Sequence, residues 1–150
     1  MKVLLAVDNS ESSGAAARAI VEQFRAEDTE VCVLHAVVWQ RAISSSFSFA
    51  RGNSYGAQLC STLKRAREQA AGLVANLAGV LRASGFRTST AVVEGSPLLT
   101  ILGRAAEWNA DLIVLGSHHR RGLDRVFESV SEKVARQAPC SVEIVRPHSG

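Results

Sequence analysis

A short basic segment bounded by two glycines is the part of the sequence best suited to chemistry. The segment GSHHRRG runs from Gly116 to Gly122 and carries two histidines and two arginines. Glycines let backbone N–H groups approach an oxyanion closely, and arginines form charge-assisted hydrogen bonds with phosphate. A metal site is disfavoured, because the neighbours His118 and His119 point apart in a loop and no cysteine or acid clusters with them. A solvated basic loop is therefore favoured over a metal site, and the composition alone identifies no ligand.

Alternating apolar and amphipathic segments must position this loop. Parallel strands need covering crossovers, so strict alternation predicts an α/β fold, namely a single-domain, doubly wound, flavodoxin-like sheet of five parallel strands in the order 3-2-1-4-5, with helices on both faces. We expect one domain over residues 1–150 with a flexible loop at about 40–57, rich in serine and glycine. The predicted strands are 2–7, 30–38, 87–95, 110–116 and 140–147, and the predicted helices are 12–27, 58–84, 97–109 and 123–138.

Ligands of such sheets bind beyond the carboxyl ends of the strands, where the strand order reverses. In the predicted order this point lies between the first and fourth strands, whose ends carry Asp8 and Gly116. Asp8 is followed by the capping residues NSESS, so capping of the first helix, together with Asn9, Ser10 or Ser12, is a second role that is compatible with ligand binding.

Charge, hydropathy and cysteine content exclude several classes of protein. The net charge of +3 is spread along the chain without a basic run, so we expect no nucleic-acid partner. Apolar runs are shorter than the roughly 20 residues that span a bilayer, so we expect no membrane segment. The three cysteines are unclustered, which favours packing roles in a reducing cytoplasm over disulfides or zinc ligation.

The flanks of the loop add a family resemblance. From VLLAVDNSESS through DLIVLGS to SVSEKVARQAPC, the chain resembles the universal stress protein family. The nucleotide-binding branch of that family carries an aspartate after the first strand and a loop of the form G-x2-G-x9-G-[ST]. Gly116 matches the first glycine, whereas His119 stands at the second and Glu128-Ser129 at the final pair, one residue early.

The resemblance implies a site for an adenine nucleotide, namely ATP, ADP or AMP with Mg²⁺. Asp8 would face the ribose or a metal, and the backbone at Ala36 and Val37 would contact adenine. The phosphates would lie near the remaining candidates, which are Gly116, Ser117, His119, Arg120, Gly122, Ser129 and Val130.

The resemblance also implies a cytoplasmic, non-catalytic switch that forms a homodimer through the last strand, at about 140–146, with protein partners that the sequence does not identify. The signatures of enzymes and phosphorelay proteins of similar fold are lacking, since DNSESS has no glycine and Glu94-Gly95 replaces a phosphorylatable aspartate. The alternative is a dimeric interaction module that has lost nucleotide binding.

Overall fold

The computed structural model describes residues 1–38, 55–117 and 129–148. Five strands and four helices alternate along this part of the chain. Their bounds are β1 Lys2–Val7, α1 Glu11–Gln23, β2 Glu30–Val37, α2 Tyr55–Ala83, β3 Arg87–Glu94, α3 Pro97–Trp108, β4 Leu112–Gly116, α4 Val130–Gln137 and β5 Ser141–Val145, with a short 3₁₀ helix at Ala26–Asp28 before β2.

The strands form one parallel sheet in the order β3-β2-β1-β4-β5. The central strand β1 is paired on both sides, so that Leu5 lies beside Val33 of β2 and Val114 of β4. The predicted flavodoxin-like order is therefore confirmed. It brings the carboxyl ends of β1, β2 and β4 to one edge.

Each face of the sheet has its own apolar core, which explains why β1 and β2 are continuous apolar runs. Side chains that alternate along β1 point to opposite faces: Val3, Leu5 and Val7 pack on α1 and α2, while Leu4 and Ala6 pack beneath α3 and α4. Leu4 and Leu5 are both fully buried. The sheet is thus a rigid base for the loops at its edge.

The first and second helices each differ from their predicted bounds by three or four residues at one end. The first helix ends at Gln23 rather than at residue 27, because Phe24 is extended (φ −117°, ψ 153°) and packs its ring against the core. The second helix begins at Tyr55, three residues before its predicted start at Gln58. The rest of the predicted loop, residues 40–54, lies outside the described ranges.

Gly85 follows the predicted end of the second helix at residue 84 and terminates α2. Gly85 has φ +92°, and the Phe86 N–H donates to the Leu81 carbonyl at 3.1 Å while the Gly85 N–H donates to Arg82 at 2.9 Å. These two bonds form a Schellman motif. The motif requires a residue in the left-handed conformation, which glycine adopts at little energetic cost. Within 1–38, 55–117 and 129–148, no helix combines the length and apolarity that a bilayer crossing requires.

Candidate functional site

A network of serine hydroxyls surrounds Asp8 at the end of β1. The Asp8 N–H donates to Ser13 Oγ at 2.8 Å, and Ser13 Oγ donates back to the Asp8 carbonyl at 2.8 Å, with Asp8 Oδ1 also within 3.1 Å. Ser10 Oγ donates to the same Oδ1, so Ser12 must donate to Ser10 across 2.7 Å. The N-cap of α1 is Ser10. Asp8 itself is therefore positioned by the first turn of α1 rather than serving as its cap.

Gly116 ends β4 directly beside α1. A Cβ at this position would lie 2.4 Å from Ser12 Oγ and 2.7 Å from the Ser12 carbonyl carbon. Its φ is not positive, so the chain needs glycine here for the close approach of helix and strand. The Gly116 carbonyl also accepts a hydrogen bond from Ser131 Oγ at 3.2 Å. Helix packing thus accounts for this glycine without a ligand.

The residues on either side of the basic segment are engaged with the protein. The Ser117 N–H donates to the Val145 carbonyl at 2.8 Å and extends the pairing of β4 with β5. Ser129 is the N-cap of α4, where its hydroxyl accepts from the Glu132 N–H at 3.3 Å, and Val130 is the exposed first residue of that helix. Because Ser129 is extended (φ −68°, ψ 158°), the single predicted helix over 123–138 is wrong. His119, Arg120 and Gly122 lie outside the described residues.

A cleft of about 360 Å³ opens at the carboxyl ends of β1 and β2, against α2. Three predicted site residues, Asp8, Ala36 and Val37, line it together. Gly116, Ser117, Ser129 and Val130 are not among its lining residues. Gly116 and Ser117 lie at the end of β4, on the other side of β1, and Ser129 and Val130 lie at the start of α4. The remaining lining residues are Asn9, His35, Val38, Thr62, Arg65, Ala66, Gln69 and Leu73.

The wall from α2 was not predicted. Its lining residues recur at three- and four-residue spacing, from Thr62 through Ala66 to Leu73, which places them on one helical face. A signal was present in the sequence: leucines at 59, 63, 73, 77 and 81 form a stripe that is interrupted by Ala66 and Ala70. Ala70 is buried, whereas Ala66 lies at the cleft. Small side chains there leave room for a ligand.

His35 lies at the edge of the cleft. Its Nδ1 is 2.9 Å from the Val7 carbonyl oxygen. Because a carbonyl can only accept, Nδ1 must carry the proton, which leaves Nε2 as an acceptor when the ring is neutral. The Val37 carbonyl is also engaged, since it accepts from the Gly95 N–H at 3.0 Å. The backbone oxygen of Val37 therefore extends the hydrogen bonding between β2 and β3 beyond Glu94.

The charged groups of α2 differ in their pairing. Arg67 forms an ion pair with Glu94 at the end of β3. Arg65 lines the cleft and forms no ion pair or hydrogen bond with the residues that the structure describes. The cleft thus combines one carboxylate, that of Asp8, with one guanidinium.

Comparisons with known proteins agree with this architecture. The profile of the universal stress protein family matches residues 1–146. Universal stress protein YxiE of Bacillus subtilis is 29% identical over 148 residues, which are 97% of this chain and 98% of YxiE. The solved structure of hypothetical protein MJ0577 aligns with a TM-score of 0.77 at 25% identity and covers 99% of this chain and 97% of that one.

Two further solved structures contain nucleotides. A universal stress protein family protein from Arabidopsis thaliana with AMP bound aligns with a TM-score of 0.68 at 20% identity, over 99% of this chain and 93% of that one. A universal stress protein in complex with cAMP aligns with a TM-score of 0.60 at 23% identity, over 97% and 96%. At these identities the likeness shows a shared fold.

Proposed function

Because the chain belongs to the universal stress protein family, we propose that it is a stress-response module that binds an adenine nucleotide in the cleft between β1, β2 and α2. It acts in the cytoplasm as a switch without catalytic activity. The family membership and the nucleotides bound by proteins of the same fold support the ligand class.

The observation that carries the proposal is the meeting of Asp8 with the end of β2 in one cleft. The volume of about 360 Å³ lies in the range of small-molecule sites. Asp8 presents a carboxylate whose orientation is set by Ser10 and Ser13, and carboxylates accept hydrogen bonds from ribose hydroxyls. Ala36, Val37 and Val38 offer an apolar surface for the base. These features suit a nucleoside.

The nucleotide would be ATP, ADP or AMP, and Mg²⁺ would enter with the phosphates. Mg²⁺ is held by few protein carboxylates and by phosphate oxygens. The lining residues include a single carboxylate, that of Asp8, and the described residues contain no cluster of three His, Cys, Asp or Glu side chains. Such a donor set fits a metal carried by the nucleotide better than one held by the protein alone.

We place the signalling surface of this switch at β5. This strand is at one edge of the sheet, and edge strands present unpaired backbone groups that a second copy can pair with. Ile144 on β5 is 37% exposed, an apolar side chain that pairing would cover. Homodimerisation through β5 would transmit changes in the loops near β4, because Ser117 is bonded to Val145.

A second candidate function, a dimeric interaction module without nucleotide, is favoured by the surroundings of Gly116. Close packing on Ser12 explains this glycine, and the Ser117 N–H that would meet a phosphate is bonded to Val145. Two of the three family glycines are replaced by His119 and Glu128. On this alternative the fold retains the cleft while the phosphate loop serves another purpose.

Isothermal titration calorimetry with AMP, ADP and ATP, each with and without Mg²⁺, separates the two functions. We expect the wild type to bind at least one of these nucleotides with a micromolar Kd and to bind GMP more weakly. The Asp8→Asn variant should bind the adenine nucleotide more weakly than the wild type does. A His119→Gly, Glu128→Gly double variant restores two glycines of the family pattern. If that variant binds and the wild type does not, the interaction module is correct and the proposed switch is wrong.

A further inference from the structure

Arg65 is a cation that the fold leaves available inside the cleft. It lies on the exposed side of α2 and lines the cleft with Ala66 and Gln69. Two residues further on, Arg67 is paired with Glu94, whereas Arg65 has no such partner among the residues described. An unpaired guanidinium at the wall of a cleft is available to an anion.

The cleft carries opposite charges on its two walls. Asp8 extends from β1 and Arg65 from α2, and Arg65 makes no ion pair with Asp8 or with any other described acid. A ligand that contacts both side chains would present hydroxyl donors to Asp8 and an acidic group to Arg65. Nucleoside phosphates combine these features.

We propose that Arg65 binds the phosphate of a nucleoside monophosphate, acyclic or cyclic, and thereby makes this cleft selective for monophosphates. The assignment rests on the proposed function. The planar guanidinium fork matches phosphate oxygens bidentately. Gln69, one turn along α2, adds an amide donor on the same wall. A single guanidinium offsets a larger share of the charge of one phosphate than of a triphosphate, and the carboxylate of Asp8 in the same cleft disfavours additional phosphate charge.

This assignment places the phosphate on the α2 side of the cleft rather than at the end of β4. At β4 the Ser117 N–H already donates to the Val145 carbonyl. On α2, by contrast, Arg65 has no competing described partner. Among the described residues, Arg65 is a cationic donor at the cleft without a protein partner, which favours a phosphate on the α2 side.

The test compares adenosine, AMP, cAMP and ATP by calorimetry on the wild type, Arg65→Gln and Lys64→Gln. Lys64 is the neighbouring exposed cation on α2 and does not line the cleft, so its variant matches the change in charge. Arg65→Gln should raise the Kd for AMP or cAMP about ten- to a hundredfold, as expected for the loss of a charge-assisted hydrogen bond. The Kd for adenosine should stay within about twofold of the wild-type value. Arg65→Lys should give an intermediate loss because it keeps the charge without the fork.

Ionic strength gives an independent readout. The advantage of AMP over adenosine should shrink between low and high salt in the wild type and should be insensitive to salt in Arg65→Gln. Equal losses for AMP and adenosine, equal effects of Arg65→Gln and Lys64→Gln, or tighter binding of ATP than of AMP would overturn the assignment. Each of these three results would contradict the role of Arg65 but not the proposed binding of an adenine nucleotide. Failure of all four ligands to bind would contradict both the proposed function and the role of Arg65.

Discussion

Gly116 and Ser12 are in contact so close that no side chain fits between them: a Cβ on Gly116 would lie 2.4 Å from Ser12 Oγ and 2.5 Å from Ser12 Cβ. The contact joins the end of β4 to the first turn of α1, the same turn that supplies Ser13 to Asp8. Packing of β4 on α1 and the position of Asp8 are therefore coupled.

Gly116→Ala should lower the free energy of unfolding by about 1–3 kcal/mol, the usual cost of overpacking a rigid site. Chemical denaturation measures this directly. Gly103→Ala is the matched control, since its Cβ would meet nothing within 4 Å on helix α3. That control should raise stability by up to about 1 kcal/mol through helix propensity. Equal changes in the free energy of unfolding for the two variants would show that the contact with Ser12 does not restrict the side chain at position 116.

Ser13→Ala should destabilise the protein by about 1–2 kcal/mol, because it removes the hydrogen-bond partner of the half-buried Asp8 N–H. Ser13 is only 2% exposed, so water cannot readily replace the hydroxyl. We also expect weaker nucleotide binding, because Asp8 loses the hydrogen bonds that orient it. Chemical denaturation and nucleotide titration of this variant measure the two effects.

Ser84→Ala serves as the control for that hydroxyl. Ser84 is exposed and its Oγ donates to the Val80 carbonyl at 3.1 Å, so its loss should cost less than about 0.5 kcal/mol. A Ser13→Ala protein as stable as Ser84→Ala would mean that the serine network does not hold Asp8.

The sheet could be predicted from the sequence because its signals are local. Runs such as KVLLAV mark strands that are buried on both faces, and Gly85 and Pro97 stand at helix ends where their backbone preferences apply. The end of α1 at Gln23 could not be predicted, since tertiary packing of Phe24 against the core decides it.

The site was only partly predictable for the same reason. Asp8 and Ala36 follow from topology, which brings strand ends together. Arg65 does not, because its place in the cleft depends on how α2 lies across the sheet. Gly116 was predicted for approach to a ligand, and the structure shows that Ser12 occupies the space. A glycine in the sequence reports a close approach without identifying what approaches.

The two partly or fully exposed cysteines should differ in reactivity. Burial, and then the negative charge of Asp111, raise the pKa of Cys140, whereas Cys60 is exposed. Alkylation at pH 8 followed by mass spectrometry should modify Cys60 first, since the thiolate is the reactive form. The folded protein holds the Cys140 proton more tightly than the unfolded chain, so this group contributes stability that is lost as pH rises through the folded pKa.

Asp111→Asn isolates the electrostatic cause. It removes the negative charge and retains an oxygen acceptor for the Lys2 N–H, which Asp111 accepts at 2.7 Å. The rate of Cys140 alkylation should rise in this variant while that of Cys60 stays constant. An unchanged Cys140 rate would assign its slow reaction to burial alone.

Ile144→Glu should convert the proposed homodimer into a monomer, because pairing through β5 would bring two carboxylates into an apolar contact. Sedimentation velocity gives the oligomeric state. Leu99→Glu on α3 is the control, since Leu99 is 69% exposed and lies away from β5, and it should remain dimeric. A monomeric wild type, or a dimeric Ile144→Glu protein, contradicts dimerisation through this strand.

Adenine-nucleotide binding in the cleft is tested most directly by calorimetric titration of AMP into the wild type, Ala66→Leu and Ala75→Leu. Ala66 lines the cleft, and a leucine there fills part of its 360 Å³, whereas Ala75 is exposed on the same helix outside the lining. We predict a micromolar Kd for the wild type and Ala75→Leu, and binding at least about tenfold weaker for Ala66→Leu. No binding by the wild type, or an Ala66→Leu protein that binds AMP as tightly as the wild type, would contradict the account.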